Sequence, residues 1–385
     1  MAALDALIHG RLPPVGDPVP WWGVARAAPA ILPGYGMRLY GSGTMALAVA
    51  LAAAAAVREE RHPQVLLPAY GCPDLVAAAV FAGLEPVLVD LAPERPWLDL
   101  DALTTVHAPR CVAVVAVDLL GLGERIAALA AFARARGLCL IEDRAQAFPV
   151  VGDDREHGDY VILSFGRGKP LSLLGGGAVL ARTPALAAAL VRPPQPPGGV
   201  AAMLRYALAA GVYNVMRRRR AYWLPSALPW LQLGATVYDP LTGITGMDPV
   251  RRARLPAAVA RFRAAPTQPQ RRLADALRAG HLPGITDLPR ACPGTAAAAR
   301  LLRYPLLATD RGHRDRLLAR LNARGLGATA LYGAPLGAIP GVPTPVAGTV
   351  APAAAAFADR LLTLPTHSGV TDADVARMCR SLAAG

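Results

Sequence analysis

The 385-residue chain predicts an α/β fold built on a mostly parallel β-sheet flanked by helices. Three observations carry that expectation. Between about residues 40 and 185, short and continuously apolar runs alternate with helical stretches, the pattern of strands buried on both faces and joined by crossover helices. The hydrophobic fraction is 54% against 17% charged, which suits a chain with a real core and excludes a disordered one. The length leaves room for one large unit and one smaller unit.

Strands are expected at 65–67, 86–90, 111–117, 138–142, 161–163 and 178–180, and helices at 44–58, 73–82 and 124–136. The first helix is rich in alanine, which favours helix without adding bulk. Asp118, Asp143 and Ser164 each close a strand, and ligands of parallel sheets collect at carboxyl ends. Residues 192–246 break the alternation. Pro193-Pro194-Gln195-Pro196-Pro197-Gly198-Gly199 is a loop, and 204–233 mixes Tyr206, Tyr213, Tyr222, Trp223 and Trp230 with four consecutive arginines, 217–220. An arginine-studded helix is expected over 247–272. Proline- and glycine-rich segments then lead to a strand at 304–307, a helix at 311–324 and a closing helix from Thr371. The expected division is 1–246, holding the large unit and a basic aromatic insert at about 200–235, and 247–385, a connecting helix and a small α+β unit.

Composition excludes several classes. The five cysteines, Cys72, Cys111, Cys139, Cys292 and Cys379, are odd in number and form no CxxC pair, which argues against a disulfide framework or a zinc site. No charged leader precedes an apolar stretch, and no apolar run reaches the roughly 18 residues of a membrane span, so a cytoplasmic protein is expected. The formal net charge of +13 bears on solubility and nonspecific attraction. No nucleic-acid motif accompanies it, and no nucleic-acid partner is expected.

Among 40 basic residues, only Lys169 is lysine. Arginine is permanently protonated, whereas lysine forms Schiff bases. Lys169 lies in Ser164-Phe165-Gly166-Arg167-Gly168-Lys169-Pro170, just before Gly175-Gly176-Gly177. Two other segments complete a chemistry. Tyr40-Gly41-Ser42-Gly43-Thr44 opens an apolar helix, where backbone N–H groups and the helix dipole favour an anion. Asp143 ends a buried strand, where a carboxylate is costly without a cation, although it also suits a helix cap. Anion site, buried aspartate and lone lysine, in that order, describe a pyridoxal phosphate pocket: the hydroxyl of Ser164 for the phosphate, the amine for the aldehyde, the aspartate for the pyridinium nitrogen.

This ordering resembles the DegT/StrS-like sugar aminotransferases, fold-type I pyridoxal phosphate enzymes. The resemblance rests on Ser42-Gly43-Thr44-Met45-Ala46-Leu47, Pro68-Ala69-Tyr70, the stretch 82–90, Glu142-Asp143-Arg144-Ala145-Gln146-Ala147, and Ser164 to Lys169. Tyr332-Gly333-Ala334-Pro335-Leu336 and Leu362-Thr363-Leu364-Pro365-Thr366-His367 extend it to the C-terminal unit. It implies a seven-stranded sheet and a homodimer whose pockets the partner subunit completes. Lys169 is then the catalytic lysine that binds the cofactor and moves the substrate proton. Asp143 pairs with the pyridinium nitrogen, Gln146 lies by the phenolic oxygen, and Gly43, Thr44 and Ser164 bind phosphate. The implied reaction moves an amino group from an amino acid, glutamate being the expected donor, to a keto group on a nucleotide-linked sugar. The retained lysine argues against the dehydratase relatives, which carry histidine there. Rival readings are a pyridoxal phosphate reaction on a non-sugar substrate, and a catalytically silent member with a membrane-associated or assembly role.

Departures from the family pattern point to rewritten substrate recognition. Cys72 stands where an aromatic usually stacks on the cofactor ring, leaving Cys72 or Tyr70 to cover it. Asp118-Leu119-Leu120-Gly121 replaces His-Leu-Tyr-Gly, so Asp118 either touches the substrate, supports the site from behind, or is a strand-end helix cap, the cap being preferred. Gly246-Met247-Asp248-Pro249 replaces Asn-x-Arg-Met. The insert 204–233 suits an interfacial helix in peripheral membrane contact. It also suits an arm packed on the other subunit or an anionic-substrate entrance, and these two readings stand ahead of the membrane.

Overall fold

The computed structural model describes residues 10–21, 30–58, 60–149, 157–226, 236–265, 267–280, 282–292, 300–344 and 346–383. Seven strands form the large sheet: β1 (Gly36–Tyr40), β2 (Gln64–Pro68), β3 (Glu85–Val89), β4 (Cys111–Val117), β5 (Cys139–Asp143), β6 (Tyr160–Ser164) and β7 (Gly177–Ala181). Their spatial order is β1-β7-β6-β5-β4-β2-β3. The block from β6 to β3 is parallel, and β7 alone runs against its two neighbours. The expected α/β class and mostly parallel sheet are therefore present. Every residue of β2, β4 and β7 is buried, which is why these strands read as unbroken apolar runs. The expected strands lacked β1. Its sequence Gly-Met-Arg-Leu-Tyr sits at the sheet edge, and only Tyr40 is buried, so no apolar run marks it.

Helix α1 (Gly43–Arg58) crosses β7, β6 and β4 with its alanine face, Ala46, Ala48, Ala50, Ala53 and Ala54 all buried. Methyl side chains let the helix lie close to the sheet. An Ala→Gly change there would cost about 1 kcal/mol in helix propensity alone. Helices α2 (Asp74–Phe81), α3 (Leu100–Thr105) and α4 (Ile126–Arg136) follow between the next strands. Gly137 ends α4 at φ 62, and its N–H reaches back to Ala133 and Arg134, a left-handed stop that glycine adopts without a Cβ penalty.

After β7 come α5 (Pro184–Ala189), α6 (Val200–Met216), α7 (Pro249–Ala264) and α8 (Gln268–Ala279). The single helix expected over 247–272 is thus two. Asp248 caps α7, its Oδ1 accepting the amides of Val250 and Arg251 at 3.0 Å each. The helix stops where Ala265 turns extended (φ −68, ψ 138), the conformation that the following Pro266 demands. The insert differs too. Its helix starts at Val200 and ends at Met216, Arg217 to Arg220 form a turn, and Trp230 lies outside the described residues.

A second, antiparallel sheet holds β8 (Thr286–Asp287), β9 (Arg303–Leu307) and β10 (Leu361–Pro365) in the order β10-β9-β8. Helices α9 (Arg311–Ala323), α10 (Pro352–Arg360) and α11 (Asp372–Ala383) accompany it. Arg303 is almost fully buried and caged by oxygen: Nε donates to Thr363 Oγ1 at 2.7 Å, Nη2 to the carbonyls of Thr363 and Gly327, and Nη1 to Pro14 O. Its neighbour His367 donates from Nε2 to Pro13 O at 3.1 Å and accepts the Gly369 amide on Nδ1. The same N-terminal strap is held on its other side by Asn214, which brackets the Val19 backbone at 2.9 and 2.8 Å, and by Tyr206 Oη donating to Pro20 O.

Candidate active site

β1, β2, β4, β5 and β6 share one direction, so the loops at their carboxyl ends meet on one side of the sheet. The loop after β1 turns directly into α1. Ser42 is the cap: Oγ accepts the Met45 amide at 3.1 Å, and its carbonyl accepts the Ala46 amide. Ser42 also bridges Gly176 in parallel fashion, which turns the Gly43 amide towards the Gly176 carbonyl, and the Thr44 amide is the donor that the first turn of the helix leaves without a backbone partner among the described residues. Gly43 is held against Ser164 at the end of β6, so closely that a Cβ on Gly43 would stand 2.7 Å from Ser164 Cβ and 2.9 Å from its Oγ. The Ser164 hydroxyl therefore stands against the positive end of the helix. The Thr44 hydroxyl is committed elsewhere, donating to Asp74 Oδ2 at 3.0 Å, so Thr44 offers its amide.

Asp143 closes β5 beneath this point. Its Oδ1 accepts the Ala145 amide at 2.8 Å, and among the described residues it has no ion-pair partner. Burial pushes its carboxyl up to about 6. The Ala145 bond and the charge of Lys169 pull the other way, and Asp118 and Asp74 add to the rise. Lys169 is half-buried at the end of the glycine-rich turn, with its backbone N–H on Gly166 O. No carboxylate lies within ion-pair distance of it among the described residues. A buried acid without a cation next to an amine without an anion is a donor set that a protonated pyridine carrying an aldehyde and a phosphate would satisfy.

Cys72 stands beside Lys169, Asp74 and Tyr332. Burial, with Asp74 reinforcing it, raises the thiol to about 11, so the sulfur is a neutral packing surface and not a nucleophile. Tyr70, the alternative cover for the ring, is taken up by the core. Its Oη accepts the Tyr332 amide at 3.4 Å, and its ring packs edge-on against Phe357 and Tyr332 with centroids 5.2 and 5.7 Å away. Gln146 is buried and held at both ends: Oε1 accepts the Leu120 amide at 2.9 Å, and Nε2 donates one of its two N–H groups to Tyr332 Oη. That bond steadies Leu120 in a left-handed conformation, φ 59, uncommon for a leucine.

Asp118 is buried, not open to a substrate. Its Oδ1 accepts the Glu124 amide at 2.9 Å, and its Oδ2 faces Arg144 Nε at 3.2 Å. Arg144 also lies 3.8 Å from Glu142, whose other oxygen meets His157 Nδ1 at 3.0 Å. The expected helix cap is not what Asp118 supplies: it precedes the turn 119–121 but makes no side-chain bond to it, and its carboxylate is spent on the Glu124 amide and Arg144. The ion pair stiffens the segment carrying Asp143. Sequence reasoning missed two residues here. Arg144 was readable, since a cation beside a buried strand-end acid invites pairing. Tyr332 stands in a segment that carries the resemblance, but its bond to Gln146, 186 positions away, is not readable from it.

A cavity of about 230 Å³ opens next to Lys169, between the strap residues 15–18 and the second sheet. Among the described residues, Arg261 and Arg300 face it together with a single acid, Asp17, and with His367. Among the described residues, no group of three or more His, Cys, Asp or Glu side chains could hold a metal ion.

A model of the family described as DegT/DnrJ/EryC1/StrS aminotransferase matches residues 39–193 and 260–383. A dTDP-3-amino-3,4,6-trideoxy-alpha-D-glucose transaminase of Micromonospora megalomicea subsp. nigra is 33% identical over 180 residues, 46% of this chain and 44% of the relative. The chain spans less than half the length of the curated relatives it matches. Among solved structures, DesV from S. venezuelae in complex with a ketimine intermediate aligns with a TM-score of 0.65 and 22% identity, covering 90% of this chain and 84% of that one. NtdA from Bacillus subtilis with bound cofactor PMP aligns with a TM-score of 0.64 and 17% identity, covering 90% and 72%. At these identities the structural likenesses speak for the fold.

Proposed function

Because the chain belongs to the DegT/DnrJ/EryC1/StrS aminotransferase family, we propose that it is a pyridoxal phosphate-dependent aminotransferase. It takes an amino group from an amino acid, glutamate being the expected donor, and delivers it to a keto group of a nucleotide-linked sugar. The observation that carries this reading is the buried, unpaired carboxyl of Asp143 beside the lone Lys169.

Bound pyridoxal phosphate supplies an electron sink for negative charge developing at the substrate carbon. The residues of this chain divide the remaining work. Asp143 holds the ring nitrogen in its protonated form, and the cation relieves the desolvation that raises its carboxyl. The Thr44 amide and the Ser164 hydroxyl, beside Gly43, bind the phosphate at the positive end of α1. Lys169 Nζ is the amine that holds the cofactor and the base that carries the substrate proton. Gln146, fixed by Leu120 and Tyr332, orients the ring edge, and the neutral thiol of Cys72 covers a face without competing as a nucleophile.

The nucleotide-linked acceptor is motivated by the Micromonospora relative, whose name specifies a dTDP-linked amino sugar. One set of observations favours a second acceptor class. Asp118 is locked to Arg144, and Gly246-Met247-Asp248-Pro249 has replaced the family's Asn-x-Arg-Met, so the acceptor side is the part most altered.

The test is the visible absorbance of the purified protein with and without glutamate, beside Lys169→Ala. A lysine-linked cofactor band that glutamate bleaches, and that the variant lacks, supports the donor half. Turnover of a dTDP- or UDP-linked keto sugar by the loaded protein then supports the acceptor. A protein that stays colourless with added pyridoxal phosphate sinks the proposal.

A further inference from the structure

We infer that the outer face of α6 docks the protein onto an anionic lipid bilayer surface. The helix has two unlike sides. Inward, Tyr206 and Ala210 are buried, Tyr206 lies under the guanidinium groups of Arg251 and Arg254 at 5.5 and 4.8 Å, and Asn214 grips the strap. Outward, Val200, Met203, Leu204, Leu208, Val212 and Val215 are all exposed, Leu204 at 61% and Leu208 at 71%. Positions 200, 204, 208 and 212 recur at intervals of four and therefore line one side of the helix. From 200 to 215 the stripe is about 22 Å long at the α-helical rise of about 1.5 Å per residue. A helix on a solvent-facing surface carries the opposite pattern, and a contiguous apolar stripe marks a contact surface.

Charge identifies the occupant. No aspartate or glutamate occurs between Asp159 and Asp239, a stretch that contains all of α6 and the turn after it. Arg205 is exposed beside the stripe, and Arg218 and Arg220 are exposed just beyond its end, followed by the exposed Trp223 and Leu224. Arg217 and Arg219 are structural: one donates to Gly16 O, the other to the Asp374 carboxylate at 2.8 Å. A second copy of this chain meeting the stripe face to face would set these cations against one another across a desolvated contact. A bilayer with anionic headgroups receives apolar stripe, cationic rim and tryptophan together, as interfacial helices do. The contact is peripheral, since no helix among the described residues is long and apolar enough to cross a membrane.

The test is co-sedimentation of the full chain with vesicles of phosphatidylcholine alone and of phosphatidylcholine mixed with phosphatidylglycerol. Binding is expected to the mixed vesicles, to weaken with salt, and to disappear in the double variant Leu204→Asp/Leu208→Asp. Arg218→Gln/Arg220→Gln, which leaves the stripe intact, is expected to lower the affinity about five-fold per arginine. Light scattering of the aspartate variant should give the wild-type molar mass. The inference is overturned by absence of binding to the mixed vesicles, by binding indifferent to both double variants, or by an aspartate variant of lower molar mass, which would make the stripe a contact between copies of this chain.

Discussion

Gly43 at the start of α1 touches Ser164 at the end of β6 across a gap that holds no side chain: a Cβ on Gly43 would lie 2.7 Å from Ser164 Cβ. Real Cβ atoms do not approach so closely, so a methyl there must push the helix start away from the strand end. Gly43→Ala is expected to weaken pyridoxal phosphate binding at least about ten-fold, about 1.4 kcal/mol, measured by absorbance titration of the apoprotein. An unchanged affinity would separate the phosphate from this corner of the fold.

Asp143 makes a second prediction with a definite sign. Its carboxyl ionises near 6 in the folded protein against 3.8 in a free chain. The folded state holds the proton more tightly, so the contribution of this group is fully present below pH 3.8 and is lost as pH rises to about 6. The loss is about 3 kcal/mol. Asp143→Asn is therefore expected to raise the Tm of the apoprotein at pH 7.5, and to forfeit most of the Tm gain that pyridoxal phosphate gives the wild type. A thermal melt of both proteins, with and without cofactor, checks both halves.

Arg144 neutralises two buried acids, Asp118 just after β4 and Glu142 within β5. Arg144→Met leaves Asp118 and Glu142 buried with less compensation and should cost about 3 to 5 kcal/mol, the usual range for breaking a buried pair. Asp118→Asn added to that variant should restore part of the loss. Urea midpoints of the two single variants and the double variant give the coupling, and strict additivity would mean that the pair does not act as one.

His367 sets an acid limit. Burial holds its imidazole down at about 4, against 6.5 for a free histidine, while Nε2–H is bonded to Pro13 O. The unfolded chain binds the proton first, so stability is lost as pH falls from 6.5 towards 4, by about 3 kcal/mol at most. His367→Gln should flatten the Tm profile across that window. A profile as steep as that of the wild type would place the acid sensitivity elsewhere.

The parts of the molecule legible in the sequence are those in which one short segment states its own environment. β4 is seven residues buried on both faces, and its short length and four valines mark it as a strand. The glycine turn before Lys169 and the acid at the end of β5 likewise carry their meaning locally, and the fold brings Gly43, Ser164, Asp143 and Lys169 to one side of the sheet. What stayed hidden depends on distant partners. β1 is a strand because β7 pairs with it, not because its residues are apolar. Tyr332 reaches the site only through the packing of the second sheet. The arginine run 217–220 reads as uniform, yet the helix end sorts it by direction, two residues inward and two out.

The strap at 13–20 also bears on the order in which the chain is made. Each of its anchors, Tyr206, Asn214, Arg303 and His367, leaves the ribosome after it. The strap is thus secured in stages: α6 can take Val19 and Pro20 first, whereas Pro13 and Pro14 wait for Arg303 and His367. The wall of the cavity beside Lys169 is therefore completed only after the chain has closed on itself.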